Sequence, residues 1–294
     1  MLNLLDCTLR DGGNYNNWMF TNKQIEEIIT LSDRTGVDYI EVGYIGGSGS
    51  ISVENASPVF DADTDFIKNL PRLSFSKYVV MVVPDLDLDF HSLDFLADTS
   101  ISMVRVACYE KDVAIGLDLV RYLSARGIMV SLNLMAVSQV DLLQVVAIAA
   151  QAKSCGANVF YIADSYGALG PDEVAELITS LQQISEIAIG FHGHNNLGCA
   201  LVNAFEAIKC GASFIDCSIS GLARGAGNLS TEQIVIALNR WQRLESCNKG
   251  VYSNKEALFA IDYLYKNIID EPIVIAQKEL RCGLENRHYF DAKE

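Results

Sequence analysis

The segment 187–196, IAIGFHGHNN, is an apolar run that ends in two histidines two residues apart. A run without polar alternation is typical of a strand that is covered on both faces. Alternate side chains of a strand share a face, so we expect His192 and His194 to point the same way. With a carboxylate from elsewhere, two imidazoles outline a divalent-metal site. The alternative is two ordinary polar residues at a strand end, since short patterns are only hypotheses.

The same kind of apolar run occurs eight times, and an amphipathic helical stretch follows each one. The predicted strands are 2–9, 37–43, 77–83, 103–108, 128–135, 158–163, 187–192 and 214–220. The predicted helices are 22–35, 61–70, 92–99, 112–126, 140–155, 172–184, 197–210 and 230 to about 244. Eight such units predict an α/β fold, the (β/α)8 TIM barrel. An open doubly wound sheet would carry a Gly-x-Gly-x-x-Gly turn after its first strand, and the segment 8–13, TLRDGG, does not match it.

A further amphipathic helix is predicted over 256–268, beyond the last barrel unit. We therefore predict a catalytic barrel domain over 1–250 and a short C-terminal helical extension over 251–294. A chain of 294 residues with 50% hydrophobic residues suffices for one large barrel core.

The charge and cysteine content exclude several classes of function. Lys and Arg number 22 against 37 Asp and Glu, and a net charge of −15 repels nucleic acid and anionic membranes. The first residues lack a basic segment followed by an apolar signal region, and no apolar run has the ~20 residues of a membrane helix. The eight cysteines form no Cys-x-x-Cys pair, so they are expected to be reduced hydrophobes rather than a thiolate metal cluster. We predict a cytoplasmic protein.

Active sites of TIM barrels lie at the carboxyl ends of the strands, so the polar residues there can be collected from sequence alone. These residues are Asp6, Arg10, Asp11, Asn14, Glu41, Arg105, Asn133, Asp164, Ser165, His192, His194 and Asn195, followed by the segment 221–228.

Asp11 with the two histidines gives one carboxylate and two imidazoles, with no thiolate obviously placed to join them. Such a set favours Mn²⁺ or Mg²⁺, with Zn²⁺, Co²⁺ or Fe²⁺ as alternatives. The ion would act as a Lewis acid on a bound carbonyl, and Arg10 would add positive charge where an oxyanion develops. The alternative for Arg10 is a structural salt bridge to Glu41 or Asp164.

Three separated motifs resemble the metal-dependent aldolase and acyl-condensing barrels typified by HMG-CoA lyase. They are DCTLRDG at 6–12, HGHN at 192–195 and GAGN at 225–228. Further matching pieces are IEVG at 40–43, VRVA at 104–107 and YIADS at 161–165, so the resemblance covers roughly 1–245. Within this group, the sequence most resembles the catalytic barrel of the 4-hydroxy-2-oxovalerate aldolases.

The resemblance implies that Asp11, His192 and His194 bind the divalent ion and that Asn228 is a ligand or contacts one. It also implies that Arg10 stabilises a pyruvate enolate, and that the reaction forms or cleaves the bond between pyruvate and an aldehyde. Our predicted catalytic residues are Arg10, Asn14, Tyr15, Glu41 and Asp164. Our predicted substrate-binding residues are Arg105, Asn133, Ser165 and Arg224.

Two residues depart from the resembling aldolases. Asn14 stands where they carry a catalytic histidine, and an amide cannot accept a proton at neutral pH. Tyr15, His288 or a metal-bound hydroxide would have to replace that base. Arg224 puts a positive charge in a loop where those enzymes have small or apolar residues. Arg224 either binds an extra anionic group of the substrate or is a surface arginine. We therefore expect an altered substrate.

Alternative functions keep the same metal site. One is an acyl-CoA condensing enzyme of the citramalate or isopropylmalate synthase kind, and another is a non-catalytic metal-binding barrel. An iron oxygenase is a remote third. The expected partners are a small 2-oxo acid and an aldehyde, and homo-oligomer formation stays open. The chain stops where the resembling aldolases begin the helical domain that docks an aldehyde dehydrogenase, so that partner is not expected. The chain is either a fragment or a protein without that domain.

Overall fold

All eight predicted strands form, and they close into one parallel barrel in chain order. The computed structural model describes residues 1–48, 53–184, 186–241 and 252–288. The strands are β1 (Asn3–Asp6), β2 (Tyr39–Tyr44), β3 (Lys77–Val82), β4 (Ile101–Cys108), β5 (Val130–Leu134), β6 (Val159–Asp164), β7 (Ala188–Gly193) and β8 (Phe214–Cys217). β1 pairs with β2 on one side and with β8 on the other, which closes the barrel. The predicted TIM-barrel class is confirmed.

Most of the helices cover the outside of the barrel. They are α1 (Gly13–Asn16), α2 (Asn22–Thr35), α3 (Thr64–Lys68), α4 (Val113–Ser124), α5 (Leu142–Ser154), α6 (Pro171–Leu181), α7 (Ala200–Lys209), α8 (Thr231–Trp241), α9 (Asn254–Asn267) and α10 (Gln277–Glu285). Thr21 and Gln24 form a capping box that begins α2, and Pro171 occupies the first turn of α6, where a missing N–H costs nothing. Among the described residues, no helix is long and apolar enough to cross a membrane.

The differences from the predicted elements are local. The segment predicted as a helix over 92–99 is a 3₁₀ segment, Phe90–Asp98, and the helix predicted over 61–70 shortens to α3. β1 ends at Asp6 rather than at 9, because the chain turns there and Asp11 N donates to Cys7 O. The predicted end of the last barrel helix near 244 and the domain boundary at 250 lie outside the described residues.

The interior of the barrel is a separate apolar layer beneath the carboxyl ends of the strands. Its buried members are Leu5, Cys7, Tyr39, Val79, Met103, Val159, Tyr161 and Phe214. Gly190 makes room for one of them, since a Cβ at this position would lie 2.4 Å from ring carbons of Tyr161. Tyr161 in turn lies under the Arg105 guanidinium, 4.3 Å from ring centroid to Cζ. This apolar layer is the floor of the barrel interior, and packing against it determines where the charged groups above it lie.

The C-terminal residues pack onto the barrel rather than away from it. Ala257, Ala260 and Leu264 of α9 belong to the main core between strands and helices. α10, which the sequence pattern did not predict, crosses the carboxyl end of the barrel. There Glu279 O accepts a hydrogen bond from Asn196 Nδ2. The extension therefore contributes residues to the face where the polar side chains converge.

Candidate active site and metal centre

His192 of β7 and His194 just beyond it lie beside one carboxylate oxygen. His192 Nε2 is 3.6 Å and His194 Nε2 is 3.8 Å from Oδ2 of Asp11. Donor atoms that share one cation at 2.0–2.2 Å stand roughly 3–4 Å apart. Burial, followed by the Arg224 cation, lowers the pKa of His194 well below its ordinary value, so this ring is a neutral lone-pair donor. Each imidazole thus has the spacing from Asp11, and the donor chemistry, of a ligand in a divalent-metal site.

Asp11 is held as a carboxylate by its surroundings. Burial alone would raise its pKa, but Arg10 and the two histidines hold the pKa well below its ordinary value. Nη1 of Arg10 lies 2.9 Å from Oδ1 of Asp11. The second oxygen, Oδ2, is the one that faces the imidazoles. One oxygen therefore pairs with the arginine and the other faces the candidate metal position.

Asn228 reaches this position through the loop after β8. Its backbone forms an antiparallel bridge with His194, and the neighbouring Leu229 N donates to Gly193 O. Nδ2 of Asn228 donates to Oδ2 of Asp11 at 2.7 Å, whereas its Oδ1 is buried without a hydrogen-bond partner. A cation between these groups would satisfy that oxygen once the amide is reversed. This orphaned atom is the structural indication that the residues fit a metal.

A thiol lies in the same cluster, which the sequence analysis did not anticipate. Donor atoms of Cys7, Asp11 and His192 all lie within 4.8 Å of one another, and all three residues are buried. Burial raises the pKa of the Cys7 thiol well above its ordinary value, and Sγ donates to Cys217 O at 3.2 Å. A cysteine in an apolar run has no pattern that separates a ligand from a small hydrophobe, so only the fold could place it here.

A buried chain of charges connects Arg10 to His192. Glu41 accepts from Arg10 Nε at 2.6 Å and from Arg105 Nη1 at 3.1 Å. Arg105 Nη2 lies 2.5 Å from Oδ2 of Asp216, which lies 3.0 Å from His192 Nδ1. A carboxylate only accepts, so Nδ1 of His192 carries the proton and Nε2 presents its lone pair toward Asp11.

Asp216 was missed by the sequence analysis, although an acidic residue inside the apolar run of strand eight is a signal that could have found it. Burial alone would raise its pKa, but Arg105 and His192 hold the pKa below its ordinary value. Asp216 is therefore a carboxylate that orients His192.

A cavity of about 820 Å³ opens above these groups at the carboxyl end of the barrel. Its polar lining includes Arg10, Asp11, Asn14, Arg105, Asn133, Ser165, His192, His194, Arg224 and His288. The segments that follow β3, β4 and β5, here called the outer wall, contribute Val83, Pro84, Asp85, Leu86, Asp87, Tyr109, Lys111, Asp112, Ala114, Ile115 and Met135. Most of the predicted site residues are thus brought to one cavity, although they are far apart in the sequence.

The predicted substrate-binding residues line this cavity in different ways. Arg105 is fully buried and engaged by Glu41 and Asp216. With its oxygen facing Arg105, the Asn133 amide accepts from Nη2 at 2.6 Å and from Nε at 3.1 Å. Ser165 Oγ accepts from Ala136 N, and its carbonyl accepts from Arg224 Nη2 at 2.9 Å. Arg224 is therefore a cavity residue and not a surface arginine.

Three predicted catalytic residues are not brought to the cavity. The Tyr15 hydroxyl donates to Glu271 O and accepts from the backbone N–H groups of Asp270 and Glu271. Glu41 is fully buried between its two arginines.

Asp164 accepts from two backbone N–H groups of the loop after β6, those of Ala168 and Leu169, and burial raises its pKa to about 6. Of the two salt bridges considered for Arg10, the one to Glu41 forms. Glu41 and Asp164 thus satisfy charges and loop amides next to the site.

Several known proteins are similar to this chain in sequence or in fold. A 4-hydroxy-2-oxovalerate aldolase of Geobacillus genomosp. 3 is 30% identical over 291 residues, which is 96% of this chain and 82% of the relative. The aldolase of the same name from Carboxydothermus hydrogenoformans is 34% identical over 238 residues, 81% of this chain and 70% of the relative. The solved HMG-CoA lyase of Bacillus subtilis, 19% identical, shares the fold with a TM-score of 0.77 over 95% of this chain and 97% of its own.

These relatives make the chain a carbon–carbon lyase of the metal-dependent aldolase class. Residues 1–255 match the HMGL-like family, and the chain belongs to that family. The non-catalytic barrel and the iron oxygenase considered from sequence are thereby set aside.

Proposed function

We propose that this protein joins or cleaves the bond between a pyruvate-type enolate and an aldehyde. The observation that carries the proposal is Arg10 at the cavity wall, paired with Asp11 while Asp11 faces two imidazoles. A divalent cation held by Asp11, His192 and His194, with Asn228 as ligand or neighbour, would supply Lewis-acid polarisation of a 2-oxo acid carbonyl. Mn²⁺ and Mg²⁺ suit the carboxylate and imidazole set, with Zn²⁺ and Co²⁺ as alternatives.

Arg10 is proposed to stabilise the charge that develops on the enolate oxygen. In the cleavage direction, a base takes the proton of the 4-hydroxyl group as the bond between C3 and C4 breaks. The aldehyde leaves, the electron pair stays on the pyruvate fragment, and C3 is then protonated. Glu41 holds Nε of Arg10 at 2.6 Å, so the guanidinium is oriented before substrate arrives.

Metal analysis followed by a pyruvate-release screen tests this proposal. Protein loaded with Mn²⁺, Mg²⁺, Zn²⁺ or Co²⁺ would be incubated with a panel of 4-hydroxy-2-oxo acids, and pyruvate would be measured with a coupled dehydrogenase. We expect release from at least one substrate, abolished by a chelator and restored by metal. Metal-loaded protein that releases no pyruvate from any member of the panel would contradict the proposal.

The outer wall argues against a coenzyme A thioester as second reactant. Asp85, Asp87 and Asp112 line it against one cation, Lys111. This acidic outer wall disfavours the several phosphate groups of coenzyme A on that side of the cavity. Thiol release from acetyl-CoA with pyruvate or another 2-oxo acid would detect the condensing alternative, and we expect none.

His288 is our candidate for the proton-transfer group. It lines the cavity together with Asn14, whereas the hydroxyl of Tyr15 is engaged by the backbone of Asp270 and Glu271 outside the cavity. We expect His288→Ala to lower kcat about 100-fold, at the lower end of the range for general acid–base catalysis, because water at the cavity mouth can partly replace the imidazole.

Tyr15→Phe is the matched control for that experiment, since it removes a hydroxyl near the site but outside the cavity. Its kcat is expected to equal that of the wild type. Pre-steady-state pyruvate release measured for both variants separates the two assignments. Slow pyruvate release by Tyr15→Phe, together with wild-type release by His288→Ala, would make Tyr15 rather than His288 the proton-transfer group.

We propose that the substrate is larger or more anionic than 4-hydroxy-2-oxovalerate. The cavity of about 820 Å³ lies near the top of the 300–1,000 Å³ range of drug-sized ligand pockets, and a five-carbon acid would leave much of it empty. Arg224 offers a donor suited to carboxylate or phosphate, and Asn14 lacks the basicity of a histidine.

The expected result is a kcat/KM for 4-hydroxy-2-oxovalerate well below that of an efficient enzyme, rising in Asn14→His. Arg224→Ala should selectively weaken turnover of substrates with a second anionic group. Steady-state kinetics over a series of aldehydes condensed with pyruvate measures both effects. A wild-type value of at least ~10⁴ M⁻¹s⁻¹ for 4-hydroxy-2-oxovalerate, or an Arg224→Ala variant unchanged on every anionic substrate, would refute it.

A further inference from the structure

Cys7 follows β1 and lies inside the barrel, on the inner side of the candidate metal centre. It is fully buried. Its sulfur and the donor atoms of Asp11 and His192 all lie within 4.8 Å of one another, and we call these three residues the group. Nδ2 of Asn228 contacts the sulfur at 3.6 Å while it also donates to Asp11. The thiol thus faces the same space as the carboxylate and the imidazole.

A second observation points to a ligand in this space. Asn228 is 4% exposed, and its Oδ1 is buried without a hydrogen-bond partner. Both neighbouring buried thiols donate to a backbone carbonyl, Cys7 to Cys217 O at 3.2 Å and Cys217 to Leu5 O at 3.6 Å. Only the sulfur of Cys7 belongs to the group with Asp11 and His192. Two adjacent buried cysteines therefore differ in whether they face the other metal-binding side chains.

We propose that Cys7 is a metal ligand from the floor of the barrel and that it biases the site toward thiophilic ions such as Zn²⁺ and Co²⁺ over Mn²⁺ and Mg²⁺. Thiolate is a soft donor. The choice of metal ion at a site depends on the type of ligand more than on the general order of affinities among divalent ions. When the sulfur–metal bond forms, the thiol proton leaves to solvent and nothing is oxidised or reduced. A dication and the nearby Arg10 compensate the added negative charge beside Asp11.

This inference rests on the metal dependence in the proposed function, and a spectrum separates the two. Wild-type protein freed of metal by a chelator would be titrated with Co²⁺ while the near-ultraviolet and visible absorption is recorded. We expect a thiolate-to-cobalt charge-transfer band that saturates with the bound ion. Bound cobalt without this band would overturn the role of Cys7 and leave the aldolase proposal standing. Failure to bind any divalent ion would contradict both.

Cys7→Ser and the matched control Cys217→Ser complete the test, since each replaces one buried thiol at adjoining strand ends. The band should disappear in Cys7→Ser and persist in Cys217→Ser. Competition with a chromophoric chelator should show Zn²⁺ affinity lowered at least about 10-fold by Cys7→Ser, with Mn²⁺ affinity nearly unchanged. Equal losses for Zn²⁺ and Mn²⁺ would indicate a packing role and overturn the proposal. If Cys7→Ser does not fold, the wild-type cobalt spectrum alone decides.

Discussion

His194→Ala is expected to lower metal affinity and turnover together, with turnover falling by more than about 10³-fold. The physical reason is that Lewis-acid stabilisation is worth several kcal/mol, and about 4 kcal/mol corresponds to 10³ in rate. His194 lies at the carboxyl end of the barrel just beyond β7, so its removal should leave the barrel folded. Isothermal titration with Mn²⁺ and Zn²⁺, the pyruvate-release assay and circular dichroism measure the three quantities.

His91→Ala provides the control for this variant. The His91 side chain is 75% exposed and lies beside Asp94 and Tyr122, away from the cavity. The same substitution there should change neither metal binding nor turnover. A His194→Ala protein that binds metal with wild-type affinity would remove His194 from the ligand set, whatever its activity.

Arg10→Ala is expected to lower kcat about 10²- to 10³-fold, the loss found when one donor to a developing oxyanion is removed. From sequence, charge stabilisation and a structural salt bridge were alternatives for Arg10. The structure adds a loss of stability, because Glu41 and Asp11 both pair with Arg10 and would be left buried with one partner fewer. Breaking a buried ion pair costs about 3–5 kcal/mol of folding free energy.

Arg10→Lys separates the two effects, since it keeps the positive charge and loses the forked geometry. We expect its melting temperature to stay near that of the wild type and its kcat to fall at least about 10-fold. Arg105→Lys is the comparison, because Arg105 pairs with the same Glu41 and is fully buried. Equal kinetic losses in both lysine variants, or an undiminished kcat in Arg10→Ala, would make Arg10 a structural ion-pair partner only.

The fold could be predicted from sequence because each strand is an apolar run with its own covering helix. A strand that is buried on both faces is a continuous apolar run, which can be recognised in the local sequence without knowing its neighbours in the fold. β2 and β6, where every residue is buried, are examples. The cavity residues could be collected for a related reason, since barrel geometry brings the carboxyl ends of all strands to one face. Asp11, His192, His194 and Arg224 follow from that rule.

The roles of individual polar residues could not be predicted in the same way. The direction of a side chain just past a strand end depends on the turn that follows. Asp164 therefore bonds to its own loop, and Tyr15 bonds to the segment before α10. The thiol of Cys7 has the sequence signature of a hydrophobe, and only the closed barrel brings it to Asp11.

The buried charges that join β1, β2, β4, β7 and β8 divide the barrel into two parts that can change independently. The Arg10–Glu41–Arg105–Asp216–His192 chain is buried above the apolar floor, whereas residues 83–87 and 109–115 contribute to the outer wall and supply none of the partners in these ion pairs. We expect substitutions in that wall to alter which aldehyde fits without disturbing the groups proposed to bind metal and stabilise charge. Libraries aimed at new carbon–carbon bond formation should therefore randomise these two loops and keep the five charged residues constant.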